Sequence, residues 1–341
     1  MPSLPKYSVI IPVYNRPAEL DELLRSLTEQ TFSDFEVIVV DDGSQQTSQT
    51  ICESYSSRLS TQYFFKPNSG PGPSRNYGFE KATGQYFVLF DSDCILPPTY
   101  FAAVEKFLAS NPIDAWGGPD RGHEKFTPLQ QAMAYTMSSF WTTGGIRGGK
   151  NQADKFQPRS FNMGFSRRVW EVTKGFAFDR LAEDIELSIR MRKEGFKVAL
   201  IPDAFVYHKR RTNLWEFFKQ VQGFGRGRVR VGRIHKGEVK LTHWFPTMFL
   251  IYFISVTLAI ALQIEWWPLL FFPMFLYLGA IWASCYFQTF WSLRKTWPEK
   301  LPPEQMGLMI RIYFVSLLTV PATIVQLCGY GLGFLKEKLS F

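Results

Sequence analysis

From Ser8 to Asp93 the chain alternates short, dense apolar runs with segments whose apolar positions recur at helical spacing. The first run, Ser8-Val-Ile-Ile-Pro-Val, meets Tyr14-Asn15-Arg16 and then Pro17 to Leu27, whose leucines predict a helix. Phe35 to Val40 is the second run; it ends in Asp41-Asp42-Gly43-Ser44, and Gln45 to Leu59 predicts the next helix. Gln62 to Phe65 is a third strand, Pro67 to Pro73 reads as a loop, and a helix is expected from Ser74-Arg75-Asn76 to just before Gly84. Tyr86 to Phe90 then predicts a buried strand that stops at Asp91-Ser92-Asp93. Later, Ile185 to Gly195 has helical spacing and Phe205 to His208 reads as a strand. Strands alternating with helices predict a doubly wound, mostly parallel α/β sheet. Ligands bind such sheets at the carboxyl ends of the strands, an edge that here collects Tyr14, Asp41, Asp42, Arg75, Asp91 and Asp93.

The pattern changes after residue 235. Residues 245–264 and 269–290 are continuous apolar stretches long enough to cross a bilayer, with Glu265-Trp266-Trp267-Pro268 as a turn at interfacial depth between them. A third stretch, 312–335, is interrupted by Pro321, Gly329, Gly331 and Gly333; it either spans or bends and returns. The expected organisation is therefore a 1–235 α/β domain, divided into halves at 1–95 and 96–235, followed by a 236–341 membrane domain.

Charge sharpens this picture. The formal net charge is +8, and Lys209 to Lys240 holds ten Lys/Arg against Glu216 and Glu238, so this one stretch carries the whole excess. A basic segment just before an apolar run suits the cytoplasmic face of an anionic membrane or a polyanionic substrate. Nucleic acid is not expected, because no nucleic-acid module signature accompanies the basic stretch. Lys236 and Lys240 on one side of the hairpin and Arg294, Lys295 and Lys300 on the other place both of its ends in the cytoplasm. No apolar segment opens the chain, so the α/β domain is expected to stay cytoplasmic and the protein to be a multi-pass inner- or plasma-membrane protein. The scattered Cys52, Cys94, Cys285 and Cys328 argue against a disulfide framework and a zinc site.

Two carboxylates one residue apart at a strand end, Asp91 and Asp93, suit a hard cation such as Mg²⁺ or Mn²⁺ with positions left open for phosphate oxygens; the plain alternative is a solvated turn. The chain has neither Gly-x-Gly-x-x-Gly after its first strand nor a Gly-x-x-x-x-Gly-Lys-Ser/Thr loop, which excludes the usual backbone cradles for phosphate. Acidic strand ends imply that phosphates are held through a metal instead. Glu183-Asp184 opens a helix, where acids commonly act as caps.

Taken in order, Ile10-Ile-Pro-Val-Tyr-Asn-Arg16, Gln30-Thr-Phe-Ser-Asp-Phe-Glu36, Val40-Asp-Asp-Gly-Ser44, Asn68-Ser-Gly with Ser74-Arg-Asn76, Asp91-Ser-Asp93 and Glu183-Asp184 resemble the motifs of family 2 glycosyltransferases of GT-A fold, over about Tyr7 to Arg230. The resemblance implies inverting transfer of a sugar from a nucleotide diphosphate donor. It implies that Asp42 meets the base, that Pro12 and Tyr14 line the base pocket, that Arg75 lies near base and ribose, and that Ser92 belongs to the donor site. It further implies that Asp93, with Asp91, holds the metal and that Asp184 is the catalytic base beside Glu183. In several such enzymes a histidine at the place of His208 completes the metal shell; a packed structural histidine is the alternative.

Gln220-Val-Gln-Gly-Phe-Gly-Arg226-Gly-Arg228 stands where processive members carry Gln-x-x-Arg-Trp, without the tryptophan, and is closer to the variants of exopolysaccharide enzymes. Arg226 and Arg228 are candidates for the donor diphosphate or a lipid-linked pyrophosphate; a solvated basic segment is the alternative. Gly144 to Gly149 and Pro158 to Gly164 are expected as acceptor-side loops, with Arg159 and Asn162 as acceptor contacts; a plain linker is the alternative. The acceptor implied is a lipid-linked or membrane-associated glycan. A rival reading is a catalytically inactive, membrane-tethered nucleotide-sugar-binding or scaffold subunit; a third is a soluble nucleotidyltransferase with a dispensable tail.

Overall fold

The computed structural model describes residues 4–122, 126–143, 156–209, 211–294 and 304–340. They form two compact units, one from the described residues of Met1–Arg121 and Gly148–Lys209, the other from those of Gly122–Arg147 and Arg210–Phe341.

The first unit contains β1 (Tyr7–Val13), α1 (Pro17–Thr28), β2 (Phe35–Asp41), α2 (Gln49–Tyr55), β3 (Thr61–Phe65), α3 (Pro71–Lys81), β4 (Tyr86–Phe90), β5 (Cys94–Ile95), α4 (Tyr100–Ser110), β6 (Ala115–Gly117) and β7 (Asp120–Arg121). The second unit's α5 (Pro128–Ser138) and α6 (Phe140–Thr143) follow in the chain. The first unit then continues with β8 (Asn162–Ser166), α7 (Arg167–Thr173), α8 (Glu183–Lys193), β9 (Val198–Leu200) and β10 (Val206–His208). Its main sheet has the order β3-β2-β1-β4-β8-β6-β9. β1, β2, β3 and β4 run parallel, and β8 is antiparallel to both of its neighbours. The central strands are apolar on both faces because both faces are covered. Val9, Ile11, Val37 and Val39 pack with Leu20, Leu23, Leu24 and Leu27 of α1 and with Val104 of α4. Ile10, Ile38 and Val40 face the other way, onto Phe79 of α3 and Leu187 and Met191 of α8. A second, three-stranded sheet, β5-β10-β7, sets His208 opposite Cys94.

The starts of the second and third helices differ from expectation. The second helix begins only at Gln49, because the preceding turn is held by side chains: Asp41 accepts from the Ser44 and Ser48 amides, and Asn15 Oδ1 from that of Gln45. The third helix starts earlier, at Pro71 inside the expected loop; proline at the first helical position carries the needed φ and lacks only an amide that would go unpaired.

The second unit adds α9 (Leu214–Ile234), α10 (Phe245–Ala261), α11 (Trp267–Arg294) and α12 (Glu304–Leu339). Three segments, Leu241–Ala261, Trp267–Trp291 and Gly307–Leu339, are long and apolar enough to cross a membrane by length and composition. α12 is one continuous helix through Pro321. α5 and α9, expected within 1–235, belong to this unit, where Phe217 and Val221 of α9, Met133 and Met137 of α5 and Ala322 of α12 share one apolar cluster. α9 lies parallel to the second half of α12. Val221 meets Gly329, Gly225 meets Tyr330, and Arg230 meets Glu337, with a nearly constant offset along the two chains.

The glycines that look like interruptions in the sequence are the contact points of this packing. A Cβ on Gly225 would stand 2.1 Å from the Tyr330 carbonyl oxygen, one on Gly333 2.0 Å from that of Gln222, and one on Gly331 2.5 Å from that of Pro246 on α10. Small residues let helix backbones approach closely, and rigid backbone oxygens leave no room for even a methyl group. Gly225→Ala and Gly333→Ala should therefore each destabilise this helix pair by about 1–3 kcal/mol. Thermal unfolding in detergent checks this: both midpoints should fall, while Gly195→Ala, whose Cβ would meet nothing within 4 Å in the other unit, serves as the strained but unclashing comparison. Unchanged midpoints for Gly225→Ala and Gly333→Ala would refute the close packing.

Candidate active site

Because Tyr7 pairs with both Phe35 and Tyr86, the parallel strands β1, β2 and β4 end at one level and deliver Tyr14–Arg16, Asp41–Ser44 and Asp91–Asp93 to the same edge. The two carboxylates after β2 do different things. Asp41 is fully buried, and besides the Ser44 and Ser48 amides it accepts from the Tyr63 hydroxyl at 2.8 Å, so it shapes the loop. Asp42 gathers the next loop around itself, accepting from Lys66 Nζ at 2.5 Å, the Ser69 amide at 2.9 Å and the Gly70 amide at 2.8 Å. Burial alone would raise its pKa, but Lys66 and those two amides outweigh it and hold the carboxyl below its ordinary value. Pro12 is half-buried beside this loop's strand and Tyr14 is exposed.

Asp93 lies between two basic side chains. Arg16 Nη1 donates to its Oδ2 at 2.6 Å, and His208 Nε2 lies 3.1 Å from its Oδ1. The pairing of β10 with β5 brings His208 here, and its ring stacks on Phe161 at 4.7 Å between centroids. One ligand atom each of Asp93, Cys94 and His208 lies within 4.8 Å of the others, a grouping able to hold a metal ion. The Cys94 thiol is buried and donates to the Phe161 carbonyl at 3.5 Å, which favours Asp93 and His208 as the donors. A carboxylate with an imidazole suits Mn²⁺ better than Mg²⁺, since Mg²⁺ demands oxygen ligands.

Arg75 joins this edge to the helix that starts at Glu183. Its side chain is 2% exposed; Nη2 donates to Asp91 Oδ1 at 2.6 Å and Nη1 to Glu183 Oε1 at 3.1 Å. Its guanidinium also lies over the Phe176 ring at 5.3 Å. Leu181 and Ala182, just before α8, have φ of 56° and 68°, two consecutive left-handed non-glycine residues. Such strain costs on the order of 1–3 kcal/mol per residue and gathers at functional sites. Ala182 stands at the N-cap position and offers no side-chain acceptor, so Asp184 itself satisfies a free first-turn amide. Asp184 Oδ1 accepts from the Ile185 amide at 2.7 Å, and its Oδ2 lies 3.7 Å from Arg159 Nη1. Burial, then the neighbouring Asp184 charge, push the Glu183 carboxyl up to about 7 against the pull of Arg75.

The structure thus brings Asp91, Asp93, His208, Arg75, Glu183 and Asp184 into one linked set, with Ser92 buried between the two aspartates. Asn162 is a correction. It is fully buried, with Oδ1 accepting from the Tyr100 hydroxyl at 2.7 Å and Nδ2 donating to the Ala204 carbonyl at 2.8 Å, so it fastens the sheet instead of facing an acceptor. Gln220, Arg226 and Arg228 belong to α9 in the other unit, where Arg226 pairs with Glu337 at 3.0 Å and Arg228 is buried. Arg226 is therefore not part of a merely solvated basic segment. Gly144 to Gly149, and Lys295 and Lys300 among the charges flanking the apolar helices, lie outside the described residues. Sequence reasoning missed Arg16, Cys94 and Lys66 as members of this site. Lys66 follows β3 directly and Arg16 stands three residues past the end of β1, the same positional signal that singled out the aspartates.

Residues 8–170 match the family model described as glycosyl transferase family 2. Among curated proteins, an uncharacterised glycosyltransferase of Rickettsia bellii is 38% identical over 106 residues, 31% of this chain and 15% of that protein. The validoxylamine A glucosyltransferase of Streptomyces hygroscopicus subsp. jinggangensis is 38% identical over 105 residues, 30% of this chain and 25% of its own. The chain thus spans well under a third of the length of either relative. Among solved structures, the mannosyltransferase PcManGT from Pyrobaculum calidifontis, in complex with GDP-Man and Mn²⁺, superposes with a TM-score of 0.54 at 18% identity, covering 96% of this chain and 88% of that one. The fold is GT-A, as the motifs implied.

The raised Glu183 pKa has a sign that can be tested. Between the ordinary value of 4.5 and about 7 the folded chain keeps a proton that the unfolded chain has lost, so this group's contribution to stability is present at low pH and declines as pH rises through that window. Glu183→Gln cannot titrate. From pH 5 to 8 the wild-type unfolding midpoint should fall relative to that of Glu183→Gln; parallel pH curves would show that Glu183 is ionised throughout.

Proposed function

This chain carries a family 2 glycosyltransferase domain over residues 8–170, and on that premise we propose that it transfers a sugar, with inversion, from a nucleotide diphosphate donor to a lipid-linked or membrane-associated glycan on the cytoplasmic face of a membrane. The observation that carries this reading is the Arg75 bridge: one buried guanidinium ties Asp91, in the Asp-x-Asp turn, to Glu183, the neighbour of the proposed base Asp184. Donor-side and acceptor-side chemistry are thereby fixed to each other by a single side chain. The three apolar helices support the membrane-associated acceptor, and the basic segment before them supports the cytoplasmic orientation.

In this reading Asp93 and His208, with Asp91 beside them, would hold Mn²⁺ or Mg²⁺, which when bound neutralises charge developing on the leaving diphosphate. Arg16 orients Asp93. Asp42 and its loop, with Pro12, Tyr14 and Ser92, would form the nucleotide side. Inversion needs a single displacement with attack from the face opposite the leaving group. The attacking hydroxyl must lose its proton in that step, and in this reading Asp184 accepts it. Its partial exposure, with Arg159 nearby, leaves it accessible, whereas Glu183 is buried against Arg75.

Asp184→Asn keeps the shape and cannot take the proton, so transfer should fall by about 10²-fold or more with donor affinity near wild type. Transfer is read as released nucleoside diphosphate from a panel of nucleotide sugars in purified membranes. Wild-type turnover by Asp184→Asn would refute the base assignment. Asp93→Ala should abolish transfer and weaken donor binding in Mn²⁺, and His208→Ala should raise the Mn²⁺ concentration needed; full activity in EDTA would sink the metal assignment. Donor binding without transfer from any donor would favour the scaffold reading.

A further inference from the structure

The second unit holds a cavity of about 300 Å³ lined by Val229, Gly232, Arg233, Lys236, Val239, Phe334 and Lys338. None of the sugar chemistry accounts for it. Its lining has two characters: Val229, Val239 and Phe334 make an apolar wall, while Arg233, Lys236 and Lys338 supply three cations and no acid lines it. The Arg233 guanidinium is already committed, donating to the carbonyls of Glu337 and Ser340. Glu337 in turn is held by Arg226 and Arg230, each at 3.0 Å. Glu337 is thus more than matched by these arginines, and the exposed Lys236 and Lys338 outnumber Glu238, which lies between the lining residues Lys236 and Val239, at the rim. Trp244 packs edge-on against Phe334 at 4.9 Å, and α10 begins at the next residue. From there exposed apolar side chains continue along α10, including Phe245, Met248 and Ile251.

We propose that this cavity is a binding site for one anionic phospholipid, its phosphate between Lys236 and Lys338 and the upper part of an acyl chain along the half-buried Val239 and the exposed face of α10. An apolar wall running into an apolar helix selects an amphiphile over a soluble anion, and the net positive rim selects a negative headgroup. Anionic headgroups gain roughly fivefold in affinity per Lys near the surface. The assignment rests on membrane association alone and is independent of sugar transfer.

The protein is reconstituted in phosphatidylcholine nanodiscs doped with brominated phosphatidylglycerol or, separately, brominated phosphatidylcholine, and tryptophan quenching is measured. Brominated phosphatidylglycerol should quench in excess of brominated phosphatidylcholine, and this excess should vanish in Trp244→Phe. Lys236→Gln with Lys338→Gln should weaken the excess by more than tenfold in lipid concentration, and Lys236→Arg with Lys338→Arg should restore it, which separates charge from misfolding. Equal quenching by the two lipids, an excess that survives in Trp244→Phe, or an unchanged titration in the double glutamine variant would each overturn the site. Loss of the excess in millimolar inorganic pyrophosphate would assign the cavity to a soluble phosphate and overturn the lipid.

Discussion

The buried guanidinium of Arg75 is the interaction on which the active-site edge depends. At 2% exposure it has exchanged water for Asp91 and Glu183, and a buried cation is tolerable only when such partners replace its hydration. Removing it would leave Glu183 buried without its counter-charge and free the Asp91 turn. Breaking a buried pair in this way typically costs about 3–5 kcal/mol, more than any single surface contact contributes. The same bond fixes geometry: α3, which carries Arg75, sits on the sheet face shared with α8, so the sheet core and the ion-pair set hold Glu183 from two directions.

In the second unit steric closeness takes the place of charge. α9 and α12 come together through glycines whose missing Cβ atoms would strike carbonyl oxygens, and the convergence of Arg226, Arg230 and Arg233 on Glu337 then sets the register of the two helices near their C-terminal ends. Packing forms the seam and the ion cluster fixes its phase. A basic stretch that reads as a solvated surface is thereby partly internal. Lys219, Lys236 and Lys240 of that stretch remain exposed.

Much of this was legible in the chain. The strands of the parallel sheet are continuous apolar runs because both faces are buried, and their acidic ends mark the ligand edge; both signals are local. The metal arm was only half legible. Asp91 and Asp93 stand at a visible strand end, but the Cys94–His208 pairing depends on strands two and three residues long, too short to carry a period. Asn162 looked like a polar loop residue because sequence shows an amide but not the Tyr100 hydroxyl and Ala204 carbonyl that satisfy it. The α12 glycines misled for a similar reason: a small residue is visible in sequence, its partner is not.

Adjacent carboxyls can divide labour when their surroundings differ, and Glu183 and Asp184 differ in that way. Glu183 faces inward against Arg75, where burial and the charge of Asp184 favour its protonated form as pH falls below about 7. A protonated carboxyl donates a hydrogen bond and accepts no proton, so it suits a structural role. Asp184, one residue on, keeps about 17% exposure, with the Ile185 amide donating to one carboxylate oxygen and Arg159 3.7 Å from the other. If both faced inward, one would have to neutralise at the expense of the other; if both faced solvent, neither would be fixed. The two left-handed residues before the helix aim the pair. Their strain is compensated by the Arg75 pair and the α8 core contacts, which hold one carboxyl in and leave the other out.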